Sequence, residues 1–117
     1  MNFVSTRGQS PPVRISQALE RGLAPDGGLY VPSVFPSFDA SQFIGCQSIP
    51  EIAERLLGPF FRGDVLEPML SEICHEAFNF PIPLRRLGQG KRLLELYHGP
   101  TAAFKDVGAR FLASCLS

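Results

Sequence analysis

The stretch that most constrains this chain is Leu94-Glu95-Leu96-Tyr97-His98-Gly99-Pro100-Thr101-Ala102-Ala103-Phe104-Lys105-Asp106. Its first part reads as a buried strand. Gly99-Pro100 then forces a turn, because glycine tolerates unusual dihedrals and proline fixes φ. Lys105-Asp106 opens an apolar stretch at helical spacing: Val107, Phe111, Leu112, Cys115 and Leu116. A strand–turn–helix unit therefore sets one lysine at a helix N-terminus. The positive end of the helix dipole disfavours an ammonium there by about 0.3–1 kcal/mol. The same field favours the neutral amine, and a neutral amine is the nucleophile that condenses with an aldehyde.

The rest of the chain divides around prolines and glycines. Met1 to Thr6 reads as a short strand, with Pro11-Pro12 marking the loop after it. Ser16 is placed to cap a short helix with Ala18, Leu19 and Leu23 on its apolar side and Ile15 packing just before the cap. Ala24 to Gly28 carries turn chemistry, and Leu29-Tyr30-Val31 is a β-type run stopped by Pro32. Phe35, Phe38 and Phe43 are expected to plug the core from an irregular segment.

Ser48 with Glu51 fits a capping box, with Pro50 in the first turn. The helix that follows is expected to bury Ile52, Ala53, Leu56, Leu57, Phe60 and Phe61, and to kink or stop at Gly58-Pro59. Asp64 is an N-cap candidate for a further helix that buries Leu66, Leu70, Ile73, Cys74, Ala77 and Phe78 and ends at Asn79. Leu84 to Leu87, Gly88-Gln89-Gly90 and Lys91 to Tyr97 read as a β-hairpin with a glycine-rich loop. The character of the chain changes at Phe80-Pro81-Ile82-Pro83. The division predicted there separates a mainly helical domain, residues 1–80, from the start of a larger α/β domain, residues 81–117.

Composition removes several function classes. At 44% hydrophobic and 19% charged the chain is globular rather than disordered. With a formal net charge of zero and no basic stripe, nucleic acid and acidic membrane surfaces are not expected partners. No apolar run approaches the ~20 residues of a membrane span, and Met1 to Ser10 lack the features of a secretory signal. Cys46, Cys74 and Cys115 are odd in number and widely spaced, which argues against a disulfide framework or a zinc site. A reducing, cytoplasmic setting with buried, inert thiols is expected.

The run His98-Gly99-Pro100-Thr101-Ala102-Ala103-Phe104-Lys105-Asp106 resembles the pyridoxal-phosphate lysine segment of the threonine synthase family. Phe3-Val4-Ser5-Thr6-Arg7-Gly8 is similar to that family's opening strand, and Asp26-Gly27-Gly28-Leu29-Tyr30-Val31-Pro32 to its next signature. The segments fall in the family's order and span nearly the whole chain. Two departures stand out. Ala102 replaces a common leucine, read as a packing change. The family's chains are also several-fold longer, so the chain is expected to be an N-terminal fragment, inactive alone.

The resemblance implies the start of a fold type II pyridoxal-phosphate enzyme, similar to the tryptophan synthase β group. It implies conversion of O-phospho-L-homoserine and water into L-threonine and phosphate. It makes pyridoxal 5'-phosphate the cofactor, Lys105 its covalent anchor and proton carrier, and the remainder of the catalytic domain a necessary partner. Phe104 either fills core or packs beside the cofactor ring. Thr101 either donates to a cofactor or substrate oxygen or is a turn residue. His98 is a polar partner at a strand end or lines the site, and Asp106 caps the helix start. Arg7 either clamps an anion or forms a salt bridge within the small domain, while Lys91 is a solvated surface charge. His75 has no second ligand at helical spacing, so no metal site is expected. Two other functions stay open: a related pyridoxal-phosphate lyase for another phosphorylated amino compound, and a non-catalytic helical interaction module.

Overall fold

Proline and glycine set the element boundaries in the computed structural model, which describes residues 1–117. The order is β1 (Phe3–Ser5), α1 (Ile15–Arg21), β2 (Tyr30–Pro32), α2 (Ile49–Phe61), α3 (Leu70–Ala77), β3 (Leu84–Gly88), β4 (Lys91–Leu94) and α4 (Lys105–Leu116). Short 3₁₀ turns lie at Ala40–Phe43 and Glu67–Met69. Strands β1 and β2 pair antiparallel with Val4 opposite Val31, and Phe3 also bridges to Val13. Strands β3 and β4 form a second antiparallel pair, joined through Gly88, Gln89 and Gly90, all at positive φ. This α/β mixture of four helices and short strands is the expected fold class.

Aromatic packing joins the helices. Phe61, at the end of α2, is fully buried. The Phe111 ring of α4 meets it edge-on at 6.0 Å and stacks on Phe78, just past α3, at 5.8 Å. Leu66, Leu70, Ile73, Cys74, Ala77 and Phe78 are all buried, as their three- and four-residue spacing predicts. Burial pushes the thiols of Cys74 and Cys115 up to about 11, and all three cysteines are free. The end of α3 is closed from α4: Arg110 donates to the carbonyls of Ala77 and Glu76 and to Asn79 Oδ1, each at 3.0 Å.

Ser48 caps α2 by accepting from the Glu51 N–H. The helix runs through Pro59 to Phe61 without the expected stop. The proline lies in the last turn, where losing its donor removes one ladder bond and little helix remains to break. α1 begins at Ile15, one residue before its expected cap. Ser16 instead donates its N–H and hydroxyl to Asp64 Oδ2 at 3.1 and 2.9 Å, so Asp64 fastens α1 to the segment before α3. Asp64 also accepts from the Leu66 N–H, as a helix-start acid should, although α3 begins only at Leu70.

Three burial expectations are corrected. Phe35 is 76% exposed, and Phe38 and Phe43 pack on each other at 5.9 Å rather than into the core. Their segment lies along the outer side of α2, where Arg55 donates to the Gln42 carbonyl. Leu56 is exposed, and Ile52 and Leu57 are half-buried along an open apolar groove with Leu94, Leu96 and Val107. The hairpin is exposed along its whole length, and β4 stops at Leu94. A lone two-stranded ribbon has no second layer to cover its leucines.

Replacing Phe61 with alanine should lower the unfolding free energy by about 3–5 kcal/mol, because the void lies at the meeting point of α2 and α4. Phe35→Ala should stay within about 0.5 kcal/mol of the parent. Urea titrations followed by circular dichroism check both.

Candidate active site

Two buried carboxylates bracket the turn that leads to Lys105. Glu95 follows β4 directly, and its N–H donates to the Pro83 carbonyl at 3.0 Å. Its side chain accepts from Arg85 Nε at 3.1 Å and meets His98 Nε2 at 2.6 Å, while residue exposure is only 7%. The hydrogen bond from His98, aided by the charge of Arg85, holds the Glu95 carboxyl below the usual carboxylate range. The His98 ring also packs on Tyr97 at 4.6 Å between centroids. His98 is thus a polar partner of Glu95 in the loop past β4.

Asp106 closes the other side. Its carboxylate accepts from Thr101 N–H at 2.9 Å and from Thr101 Oγ1 at 2.7 Å. The residue is 5% exposed, and the Thr101 hydroxyl is the main influence holding its carboxyl below the ordinary range. Gly99 is required here: a Cβ at that position would lie 2.5 Å from Asp106 Oδ2. The Ala102 N–H donates to the Gly99 carbonyl at 3.1 Å, and Ala102 takes φ of 53°. Ala102 is exposed.

Lys105 is the first residue of α4 and is exposed. Asp106 is committed to Thr101, and both ion pairs in the chain belong to Glu95, so the amine has no acidic partner. It borders an open hollow of about 460 Å³ whose other walls are Leu96, Phe104, Val107, Gly108 and Ala109. Phe104 is 67% exposed and lines this hollow, so it does not fill core. An unpaired primary amine beside an apolar floor and an aromatic edge suits an aldehyde-bearing aromatic cofactor.

Other sequence candidates lie outside this arrangement. Lys91 is exposed on β4. Arg7 donates to the Asp26 carbonyl at 2.9 Å and forms no salt bridge. The Asp26 carboxylate accepts from Ser5 Oγ at 2.7 Å and from the N–H groups of Gly28 and Gln9. The Ser5 bond leads these in pulling its pKa down to about 2. A side chain at Gly28 would collide with Ser5 Oγ, so this glycine serves the close approach of β1 to the turn before β2. His75 bonds the Ser71 carbonyl of its own helix, and no cluster of three or more His, Cys, Asp or Glu is placed to hold a metal ion. No helix is long and apolar enough to cross a membrane.

Glu95 was not singled out by its sequence. The signal was a lone acid inside Leu93-Leu94-Glu95-Leu96, opposite a strand that carries Arg85 and Arg86.

A small helical unit followed by a strand–turn–helix with its lysine at the helix start is the opening portion of a fold type II α/β enzyme. Residues 2–78 match the family described as "Threonine synthase N terminus". The threonine synthase of Pseudomonas aeruginosa is 37% identical over 123 residues, covering 99% of this chain and 26% of that protein. The crystal structure of pyridoxal-phosphate-bound threonine synthase from Brucella melitensis superimposes with a TM-score of 0.86 at 41% identity, over 97% of this chain and 26% of that one. The Escherichia coli enzyme gives a TM-score of 0.87 at 30% identity, over 99% of this chain and 28% of that one. The chain belongs to the threonine synthase family and spans about a quarter of the length of the curated relatives it matches.

Asp26 makes a pH prediction. Its folded-state pKa lies below the ordinary 3.8, so its stabilisation is fully present above about pH 4–5. It is lost as pH falls toward about 2. The advantage of the parent over Asp26→Asn in urea midpoint should be constant at neutral pH and vanish progressively across that acid window.

Proposed function

We propose that residues 1–117 form the N-terminal part of a threonine synthase whose cofactor is carried by Lys105. The assembled enzyme converts O-phospho-L-homoserine and water into L-threonine and phosphate. The observation that carries this reading is the unpaired Lys105 amine beside its apolar hollow, in a chain that matches threonine synthases along nearly its whole length. Bound pyridoxal phosphate supplies an electron sink for carbanion chemistry.

The chain's own groups divide the remaining work. Lys105 anchors the cofactor through Nζ and, when released, moves protons with that same atom. Phe104 offers an aromatic wall that excludes water from one side. Thr101 has its hydroxyl proton engaged by Asp106, which leaves the oxygen's lone pairs to accept at the loop. Asp106 holds the turn in shape and takes no part in proton transfer.

Residues 1–80 constitute the N-terminal domain and residues 81–117 begin the cofactor domain. The family match ending at Phe78, followed by the proline-rich Phe80–Pro83, supports that division. The remainder of the catalytic domain is the obligatory partner, since it brings the loop that cradles the cofactor phosphate. The open groove lined by Ile49, Ile52, Leu56, Leu94 and Leu96 supports such a partner. The free thiols support a cytoplasmic location.

A chimera tests the assignment: residues 1–117 replace the matching segment of the Escherichia coli enzyme in a strain that cannot make threonine. Growth without threonine is expected from the chimera. Lys105→Ala should abolish it, and borohydride reduction should fix the cofactor to Lys105 alone. Growth of the Lys105→Ala strain would refute the assignment. The isolated 117-residue chain should form no threonine.

A further inference from the structure

We propose that Arg110 is a positioning residue for Lys105: by gripping the end of α3 it sets where the first turn of α4 meets the Gly99–Thr101 loop. The proposal rests on the assignment of Lys105 as the cofactor lysine.

The last carbonyls of a helix have no partner within it. At the end of α3 those of Glu76 and Ala77 both accept from Arg110, through Nη2 and Nε at 3.0 Å. Nη2 also reaches Asn79 Oδ1 at 3.0 Å, and the guanidinium lies 5.9 Å from the centre of the Phe80 ring. One planar cation thus contacts four consecutive-to-near-consecutive residues, 76, 77, 79 and 80, where the helical unit gives way to the cofactor segment. A lysine ammonium is a point charge and cannot match that planar set.

On its own helix Arg110 sits four residues after Asp106, on the same face, in the favourable acid-first order. Its charge contributes to keeping Asp106 ionised. Asp106 in turn holds Thr101 by two hydrogen bonds and leaves no room for a side chain at Gly99. Arg110 and Asp106 form no direct ion pair, so the link from the α3 carbonyls to the loop ahead of the lysine runs through the one turn of α4 between them. Lys105 is five residues from Arg110, which turns it roughly 140° around the helix. Arg110 consequently acts on Lys105 through the helix and the loop, without touching it. The core already holds Phe111 and Cys115, so losing the guanidinium should shift the start of α4 while leaving its middle docked.

The Thr101 amide reports the effect directly, because it donates to Asp106. In the 117-residue chain, Arg110→Met should speed hydrogen exchange at Thr101 by about tenfold or more while the Ile73 and Cys74 amides keep their protection. Arg110→Lys should recover part of the loss. In the chimera, Arg110→Met should lower kcat roughly tenfold or more with KM for phosphohomoserine within about twofold, the mark of misplaced rather than missing contacts. Unchanged Thr101 exchange in folded Arg110→Met overturns the proposal, as does an unchanged kcat. If that variant does not fold, Arg110→Gln and Arg110→Lys are read in its place, and parental exchange in both overturns it. Failure of borohydride to label Lys105 in the parent chimera refutes the cofactor assignment instead, and the exchange measurement separates the two because it needs no cofactor.

Discussion

Phe111 wedged between Phe61 and Phe78 is the contact on which this arrangement depends. It is the main reason α4 lies against α2 and α3 rather than trailing into solvent. Fully burying a phenylalanine, as at Phe61, is worth about 1.5–3 kcal/mol, and a well-oriented aromatic pair adds about 0.5–1.5 kcal/mol. No exposed ion pair in a chain this size competes with that. Because α4 is docked, Lys105 at its first residue has a defined place relative to the hairpin and the turn.

Side-chain carboxylates do the local fastening that strands and helices leave undone. Asp26 gathers Ser5, Gln9 and Gly28 beside β1. Asp64 joins α1 to the segment before α3 through Ser16. Glu95 holds Arg85 and His98, and Asp106 holds Thr101. Each accepts from more than one donor, and each fixes a place where the chain reverses, Asp106 doing so from the first turn of α4. In every case the donors stabilise the ionised form, so the acid is retained as a charged knot rather than neutralised by its surroundings. The consequence for the candidate site is a lysine left free: both acids near Lys105 are already engaged.

Much of this was legible in the sequence. The inward set on α3 followed from spacing, Ser48 announced the start of α2, and the lysine at a helix start followed from Gly99-Pro100 and the apolar spacing after it. Errors occurred where burial depends on what covers a residue. Leu94 to Tyr97 has the composition of a buried strand, yet no third strand lies beside β4. Phe35 is apolar enough for a core, yet it is exposed. Ser16 has the chemistry of a cap, but α1 begins one residue before it, and Asp64, far along the chain, accepts from its N–H and hydroxyl.

The sequence by itself determined the elements, the division by prolines, and the presence of a lysine at a helix N-terminus after a Gly-Pro turn. These are consequences of local sterics and of periodicity, which act over a few residues. Only the tertiary structure decided that Asp106 bonds Thr101 rather than Lys105, and that Arg110 closes the end of α3. It likewise decided that Glu95 is buried between Arg85 and His98. Those outcomes are competitions among donors and acceptors brought together by packing, and no residue's immediate neighbours specify which partner will be nearest.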